Sequence, residues 1–194
     1  LSPVLRIRSA IFILVALAAN AVGNSIMTMS QMPGAAISLA MVTVIGQCIG
    51  AREYKQAKHY MLALTGTAYM MNLALNLSII LLMRPIIGMF QVSAQTAALA
   101  WQLGLVCCIG NFTFWPASFA LPNGLRAAND VKFTMIISIV SMWVFRVGFS
   151  YVLGLMFELG VLGVWCAMLV DWLFRAVVFF VRLMSGKWQN RQFI

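Results

Sequence analysis

Long stretches without a charged side chain constrain this chain more than any other feature. No Asp, Glu, Lys or Arg occurs between Arg8 and Arg52, between His59 and Arg84, or between Arg84 and Arg126. Each stretch is longer than the roughly 20 apolar residues with which a helix crosses a bilayer. A helix on the surface of a soluble protein keeps a polar face and does not need such stretches. The chain is therefore predicted to be an all-α integral membrane protein.

Composition supports this class and excludes others. Of the 194 residues, 63% are hydrophobic and 9% are charged, whereas soluble domains carry about 25% charged residues. A net charge of +9 would suit a nucleic-acid partner, but the basic residues stand at the ends of apolar runs rather than in a stripe with aromatic side chains. We therefore expect the lipid bilayer, and no nucleic acid, as a partner.

No constellation typical of an enzyme or a metal site is present. The four cysteines lie inside apolar runs without CxxC or histidine spacing, so no metal is expected. Paired carboxylates, a Ser-His-Asp set, a P-loop and a GxSxG motif are all missing from the sequence. The chain is predicted not to be an enzyme.

Six membrane spans are predicted, which together form a six-helix transmembrane bundle with a short first helix. The spans cover residues 3–19, 22–49, 58–83, 94–121, 132–155 and 161–184. Asn20, Gly23 and Asn24 mark the turn between the first two. The third span ends at Arg84 and Pro85, because proline does not continue a helix.

The distribution of basic residues predicts the orientation. Cytoplasmic segments of membrane proteins carry an excess of Lys and Arg. With a cytoplasmic N-terminus, one basic residue (Arg84) lies outside and two (Arg146 and Arg175) lie within spans. Ten of the thirteen lie inside: Arg6, Arg8, Arg52, Lys55, Lys58, Arg126, Lys132, Arg182, Lys187 and Arg191. We therefore predict a multi-pass protein of the cell membrane, the inner membrane of a bacterium, with cytoplasmic N- and C-termini.

Three charged residues fall within the predicted spans. Asp171 and Arg175 are four residues apart and share one face of a helix. Arg146 lies on the preceding span, at a depth from which it could approach Asp171. One interpretation is a proton relay or ion site at Asp171, because charges inside a membrane are costly and mark function. We favour the other, a structural ion pair, because an Asp between two Arg stays ionised.

Neutral polar residues concentrate on the second and fourth spans. Proline bends a membrane helix and frees a carbonyl, and transporters use bent helices to line cavities. Pro33 and Pro116 are predicted bends. The residues predicted to line a substrate cavity are Asn24, Gln31, Met32, Asn111 and Trp115. The alternative is that the amides form interhelical hydrogen bonds and that Met fills gaps.

Several motifs resemble those of the multidrug and toxic compound extrusion (MATE) family. Residues 45–51 (IGQCIGA) resemble its G-Q-x-x-G-A element, and residues 123–130 (NGLRAAND) are similar to its G-x-L-R-G-x-G-D loop. Residues 32–35 look like the bend of its helix, and residues 143–151 and 161–175 resemble its last two helices. Ala127 and Asn129 stand where the family usually has glycine, and the first span is shorter than its equivalent.

The resemblance implies the C-terminal lobe of a two-lobe antiporter, driven by a Na⁺ or H⁺ gradient through alternating access. The N-terminal lobe of the same transporter, or a second copy, would complete a cavity for amphipathic or cationic drugs. No cofactor is implied beyond the coupling ion, which is expected to bind in the other lobe. One alternative is a stand-alone half-transporter or a lipid-linked substrate flippase acting as a dimer, although a phosphate would need cations and the spans offer only Arg146 and Arg175. A second is a non-transporting, truncated membrane protein.

Overall fold

In a computed structural model, residues 3–153 and 160–190 are described, and all of their regular structure is helical. The α-helices are α1 (Pro3–Gly50), α2 (Tyr54–Leu81), α3 (Met83–Gly88), α4 (Ala94–Thr113), α5 (Leu121–Ala127), α6 (Val131–Ser141), α7 (Phe149–Tyr151) and α8 (Gly160–Met184). Two π-helical segments, Pro116–Ala120 and Met142–Gly148, join α4 to α5 and α6 to α7. A 3₁₀-helix, Lys187–Asn190, follows α8.

Five helices of this described part are long and apolar enough to cross a membrane. They are Ala10–Gly50, Tyr54–Leu81, Ala94–Thr113, Val131–Tyr151 and Gly160–Met184. Large apolar side chains are exposed along them, as a surface that faces lipid requires. The prediction of an all-α integral membrane protein is confirmed. The last residues of the predicted span 132–155 lie outside the described residues.

The turn predicted at Asn20, Gly23 and Asn24 does not form, because α1 runs through these positions without interruption. Asn20 Oδ1 accepts a hydrogen bond from Trp165 Nε1 at 3.0 Å, so the amide serves packing against α8. A Cβ on Gly23 would lie 3.1 Å from the Trp165 ring, so the glycine allows a close approach of helices. Inside a membrane each backbone group needs a partner, which favours a continuous helix over a turn.

The continuity of α1 changes the expected topology. Its 48 residues rise by about 72 Å, more than the roughly 40–45 Å of a whole bilayer. One continuous helix, α1, therefore covers both predicted spans 3–19 and 22–49.

Packing is centred on α1, which contacts α2, α4 and α5, while α8 packs against both π-helical segments. Methionine side chains fill the spaces beside glycines in this core. A Cβ on Gly104 would lie 3.1 Å from Met83 Sδ, and one on Gly124 would lie 2.8 Å from Met41 Sδ. These two methionines are fully buried, so they fill gaps, as one of the two interpretations of the Met residues predicted.

A buried ion pair joins α8 to the turn before α6. Arg182 donates from Nε to Asp130 Oδ2 at 2.7 Å and from Nη2 to Oδ1 at 3.1 Å. The guanidinium also lies 4.4 Å from the centre of the Phe133 ring. Asn129 precedes Asp130 in the left-handed conformation, with φ of 65°. The pair fixes the end of α8 beside the ends of α5 and α6, at the same end of the bundle.

Candidate ligand-binding cavity

A group of buried polar residues, here called the polar node, connects α1, α2 and α4. Asn72 Oδ1 accepts from the Gly34 N–H at 3.0 Å, and Asn76 Nδ2 donates to the Ser30 carbonyl at 3.1 Å. Both asparagines are fully buried. Pro33 removes one backbone hydrogen bond of α1 at this level. The asparagines of α2 therefore supply bonds to the backbone of α1 where its own ladder is weakened.

Asn111 of α4 completes the polar node. Its side-chain Nδ2 donates to Ser30 Oγ, and its backbone carbonyl accepts from Asn72 Nδ2 at 3.4 Å. Asn111 is fully buried. Of the two interpretations offered by the sequence, its contacts are those of an interhelical hydrogen bond rather than those of a cavity wall. Buried polar groups of this kind hold membrane helices together.

An aromatic stack lies next to the polar node. The Trp115 ring packs against Gly34, where a Cβ would collide with it. The rings of Trp115 and Phe119 are stacked with centroids 5.5 Å apart, and the Trp172 ring meets Phe119 edge-on at 5.6 Å. Ser118 Oγ donates to the Trp172 carbonyl, which ties the π-helical segment 116–120 to α8. The stack thus links α1, the π-helical segment and α8.

The stack forms one wall of a cavity of about 400 Å³ between α1, the segment 116–127, α6 and α8. Its polar lining consists of Ser38, Ser118, Asn123, Arg126, Ser138 and Arg175. Arg175 lies nine residues before the end of α8, which is about 13 Å along the helix axis. The cavity therefore lies in the half of the bundle that contains the pair between Asp130 and Arg182. Its volume falls within the range of pockets that hold small organic molecules.

Arg175 is the inner, half-buried charge of this cavity. Its Nε lies 3.9 Å from Asp171 Oδ1, beyond hydrogen-bond distance, and has no hydrogen-bond partner among the described residues. Its Nη2 makes a long hydrogen bond of 3.5 Å to the Ser138 carbonyl. Its guanidinium carbon lies 5.1 Å from the centre of the Phe119 ring. The cation is therefore held over an aromatic face with much of its donor capacity unused.

Arg126 contributes a second charge at the exposed side of the cavity. Its Nη1 donates to Asn123 Oδ1 at 2.8 Å, and Asn123 Nδ2 in turn donates to Ser38 Oγ. The side-chain amide of Asn123 therefore links Arg126 to Ser38 of α1 and orients the guanidinium. Arg126 and Asn123 were not among the residues predicted to line a cavity, although both fall within the motif at residues 123–130.

The residues predicted to line a substrate cavity separate into three places. Trp115 lines the cavity, and Asn111 belongs to the polar node. Asn24 and Met32 are exposed on α1, and Gln31 is half-buried there. None of these three α1 residues lines the 400 Å³ cavity. The structure therefore brings together only Trp115 and the residues that the sequence analysis missed.

The three charged residues predicted to form an ion pair are placed differently from one another. Asp171 lies near Arg175 and accepts a hydrogen bond from Ser141 Oγ. Arg146 does not pair with Asp171; its Nη2 instead lies 3.8 Å from Met168 Sδ. Arg146 falls in the π-helical segment 142–148, where the altered pitch rotates the side chain away from the face that a regular α-helix would give it.

The two predicted bends also differ. Pro33 lies inside α1, which continues as an α-helix on both sides of it. Pro116 begins a π-helical segment, and regular α-helix resumes only at Leu121. The backbone around Pro116 is therefore irregular, and it is this irregular segment that carries Phe119 and the aromatic stack.

Comparison with known proteins agrees with these observations. The MatE family model matches residues 14–152. A probable multidrug resistance protein NorM of Thermotoga maritima is 30% identical over 181 residues, which cover 91% of this chain and 38% of the relative. The uncharacterized transporter YisQ and the probable multidrug resistance protein YoeA, both of Bacillus subtilis, are each 26% identical over 80% and 77% of this chain. The chain spans between 32% and 38% of the length of these relatives. It therefore belongs to the MatE family, which confirms the resemblance of its motifs and the prediction that it is not an enzyme.

Proposed function

We propose that this chain forms one lobe of a multidrug efflux transporter that works by alternating access. The observation that carries the proposal is the family match over residues 14–152 of a chain that covers 38% of its Thermotoga maritima relative. The cavity between α1, α6 and α8 would be the share of the substrate site that this lobe contributes. Its substrates would be amphipathic organic molecules, which suit an aromatic wall with a few polar groups.

A second lobe, either the N-terminal lobe of the same transporter or another copy, would cover the exposed face of α1. Asn24, Thr28 and Gln31 follow one another at helical spacing on this face. The side-chain amides of Asn24 and Gln31 have no hydrogen-bond partner within the described residues. Polar groups that face lipid are costly, so this face suits a water-filled space between two lobes.

The orientation follows from the basic residues. Seven of those that the structure describes lie at the end of the bundle that holds the pair of Asp130 and Arg182: Arg52, Lys55, Lys58, Arg126, Lys132, Arg182 and Lys187. We place this end in the cytoplasm. The bacterial sources of the relatives support the inner membrane of a bacterium. If α1 crosses the membrane once as a continuous helix, its Pro3 end would lie on the other side, which differs from the two cytoplasmic termini predicted from the sequence.

Transport would be driven by a Na⁺ or H⁺ gradient, with the coupling ion bound in the partner lobe. Within the described membrane spans, the one carboxylate is that of Asp171, which is near Arg175 and accepts a bond from Ser141. These partners already engage the carboxylate, so we assign Asp171 a structural role and the coupling ion to the partner lobe. The cycle would follow from different affinities of the two conformations for ion and substrate.

The test is to fill the cavity. We expect Ser138→Trp, which places a large ring among the lining residues, to lower the efflux of fluorescent drugs by at least about tenfold, because substrate and ring would compete for one space. Ile136→Trp is the matched control, because Ile136 lies on the same helix and is 54% exposed. Both variants are expressed at full length in bacteria that lack their main drug pumps, and efflux is corrected for membrane abundance. Equal efflux by both variants would contradict the proposed site.

The lipid-linked substrate flippase remains a second candidate, because the guanidinium groups of Arg126 and Arg175 both line the cavity, whereas the cations that the sequence had offered for a phosphate were Arg146 and Arg175. Efflux by cells that express residues 1–194 alone would favour a stand-alone dimer over a lobe that needs a different partner. Transport of a phosphate-bearing lipid, but not of drugs, by the full-length protein in vesicles would favour the flippase.

A further inference from the structure

The cavity carries positive charge that its own lining does not balance. Arg126 and Arg175 line it, whereas no Asp or Glu does so among the described residues. The nearest acid, Asp171, stays 3.9 Å from Arg175. Two guanidinium groups therefore share a cavity without a carboxylate in its described lining, in a protein whose membrane environment makes unbalanced charge costly.

The unused donors of Arg175 point to the kind of group that would balance this charge. Its Nε has no hydrogen-bond partner among the described residues, and its bond to the Ser138 carbonyl is long, at 3.5 Å. A guanidinium presents its N–H groups as a planar fork that matches a carboxylate or a phosphate. An anion between Arg175 and Arg126 would therefore satisfy donors that the protein leaves open.

The aromatic stack defines the other end of the ligand. Phe119 lies beneath the guanidinium of Arg175, and Trp115 is stacked on Phe119 at the cavity wall. Flat aromatic faces favour an aromatic or otherwise apolar body. A ligand with an acidic group and an aromatic body would contact both parts of the cavity at once.

We infer that the cavity binds the anionic group, a carboxylate or a phosphate, of an amphiphile with an aromatic or apolar body. Arg175 is the inner, half-buried anchor, and Arg126 is the outer, exposed cation. The family resemblance led us to expect cationic drugs, but a cationic group would be repelled by the two guanidinium groups that line this cavity. The inference rests on the proposed function only in treating the bound molecule as a transport substrate, because binding and efflux are measured separately.

The experiment compares two probes with the same ring and opposite charge. 1-Naphthaleneacetate and 1-naphthylmethylammonium are titrated against the full-length protein in phosphatidylcholine nanodiscs by calorimetry. We expect the anion to bind at least about tenfold more tightly, since a charge-assisted hydrogen bond contributes about one to two factors of ten in affinity.

Variants then assign the preference to the cavity. Arg126→Gln removes a charge whose guanidinium donates to Asn123, and we expect it to weaken binding of the anion about tenfold. Lys132→Gln is the matched control, because it removes the same charge from an exposed residue near the same end of the bundle, outside the lining. Replacing Asp171 by Asn together with Arg175 by Gln removes the anchor without leaving a lone buried charge, and should abolish the preference.

Phosphatidylglycerol in the nanodiscs distinguishes two sources of the anion. If lipid headgroups occupy the cavity, phosphatidylglycerol will weaken naphthaleneacetate binding to the unmodified protein more than to Arg126→Gln. If the natural ligand is a free small molecule that lipid does not replace, the added lipid will leave the affinity unchanged. Either result supports an anion site.

Three results would overturn the inference: tighter binding of the ammonium probe, equal affinity for both probes, or no binding of either. A preference for the anion that survives Arg126→Gln and the double substitution would overturn it as well. In each of these cases, a loss of drug efflux in Ser138→Trp would still support the proposed function. Failure of the anion site and failure of the proposed function can therefore be told apart.

Discussion

Two buried carboxylates of this protein meet arginines in different ways. Asp130 holds Arg182 through two short hydrogen bonds, of 2.7 and 3.1 Å, across 52 residues of sequence. Asp171 lies 3.9 Å from Arg175 on the same helix, one turn away. Both carboxylates are about 1% exposed. Two equally buried carboxylates therefore form ion pairs of different geometry. The position of the arginine relative to the carboxylate, and not burial, accounts for the difference.

The difference indicates a division of roles between the two pairs. The bidentate pair joins segments that are distant in sequence, and so it holds the end of α8 against the turn before α6. The looser pair joins residues whose distance the helix already fixes, so it adds little to the fold. It leaves Arg175 with open donors at the cavity, where a ligand can use them.

Breaking the bidentate pair should have the largest effect. We expect Arg182→Ala to lower the free energy of unfolding by about 3–5 kcal/mol, because it leaves the buried charge of Asp130 without this partner. Unfolding in mixed micelles, followed by tryptophan fluorescence, measures the change. The double substitution Asp130→Asn with Arg182→Gln serves as control and should cost less than the single change. If Arg182→Ala lowered the free energy of unfolding no more than the double substitution does, the distinction between the two ion pairs would be lost.

Asp171→Asn should have an intermediate effect, a loss of about 1 kcal/mol. The asparagine can still accept the hydrogen bond from Ser141, and Arg175 keeps its contact with the Phe119 ring. Coupled efflux by the full-length transporter should persist at normal abundance in the membrane. If coupling disappears while folding and abundance are unchanged, Asp171 is an ion site rather than a structural partner.

Arg146→Gln should have the smallest effect on stability, within about 0.5 kcal/mol, because the residue is exposed and its guanidinium makes a long contact with Met168 Sδ rather than an ion pair within the described residues. The same unfolding measurement, run beside Asp171→Asn, provides the comparison. A loss as large as that of Asp171→Asn would mean that Arg146 pairs with Asp171, as the sequence had suggested.

The fold was largely predictable where charge or proline bounds an apolar run. The predicted spans 58–83 and 161–184 agree with α2 and α8 to within a few residues. The turn at Asn20 and Gly23 was wrong, because these residues weaken a helix by only about 1 kcal/mol each in water, and packing against Trp165 outweighs that cost. The same residue types that mark turns in soluble proteins mark close helix contacts here.

The site was less predictable, because membrane helices are apolar on every side and periodicity does not show which face meets which neighbour. Trp115 was identified from its place beside Pro116, and it lines the cavity. Arg126 was assigned to a loop motif, and only the packing of α5 against α1 brings it to the cavity. Arg146 was misplaced, because a regular helix was assumed where a π-helical segment shifts the register.

The polar node has a consequence for how this sequence can vary. Asn72 and Asn76 bond to the backbone of α1, and every residue except proline carries the N–H and carbonyl that they use. The demand for a particular side chain therefore falls mainly on α2, while position 30 needs an acceptor for Asn111 and position 34 needs a residue without a Cβ beside Trp115 and Asn72. Among related sequences, we therefore expect Asn72 and Asn76 to keep their identity, whereas the positions of α1 between Ser30 and Gly34 vary more freely.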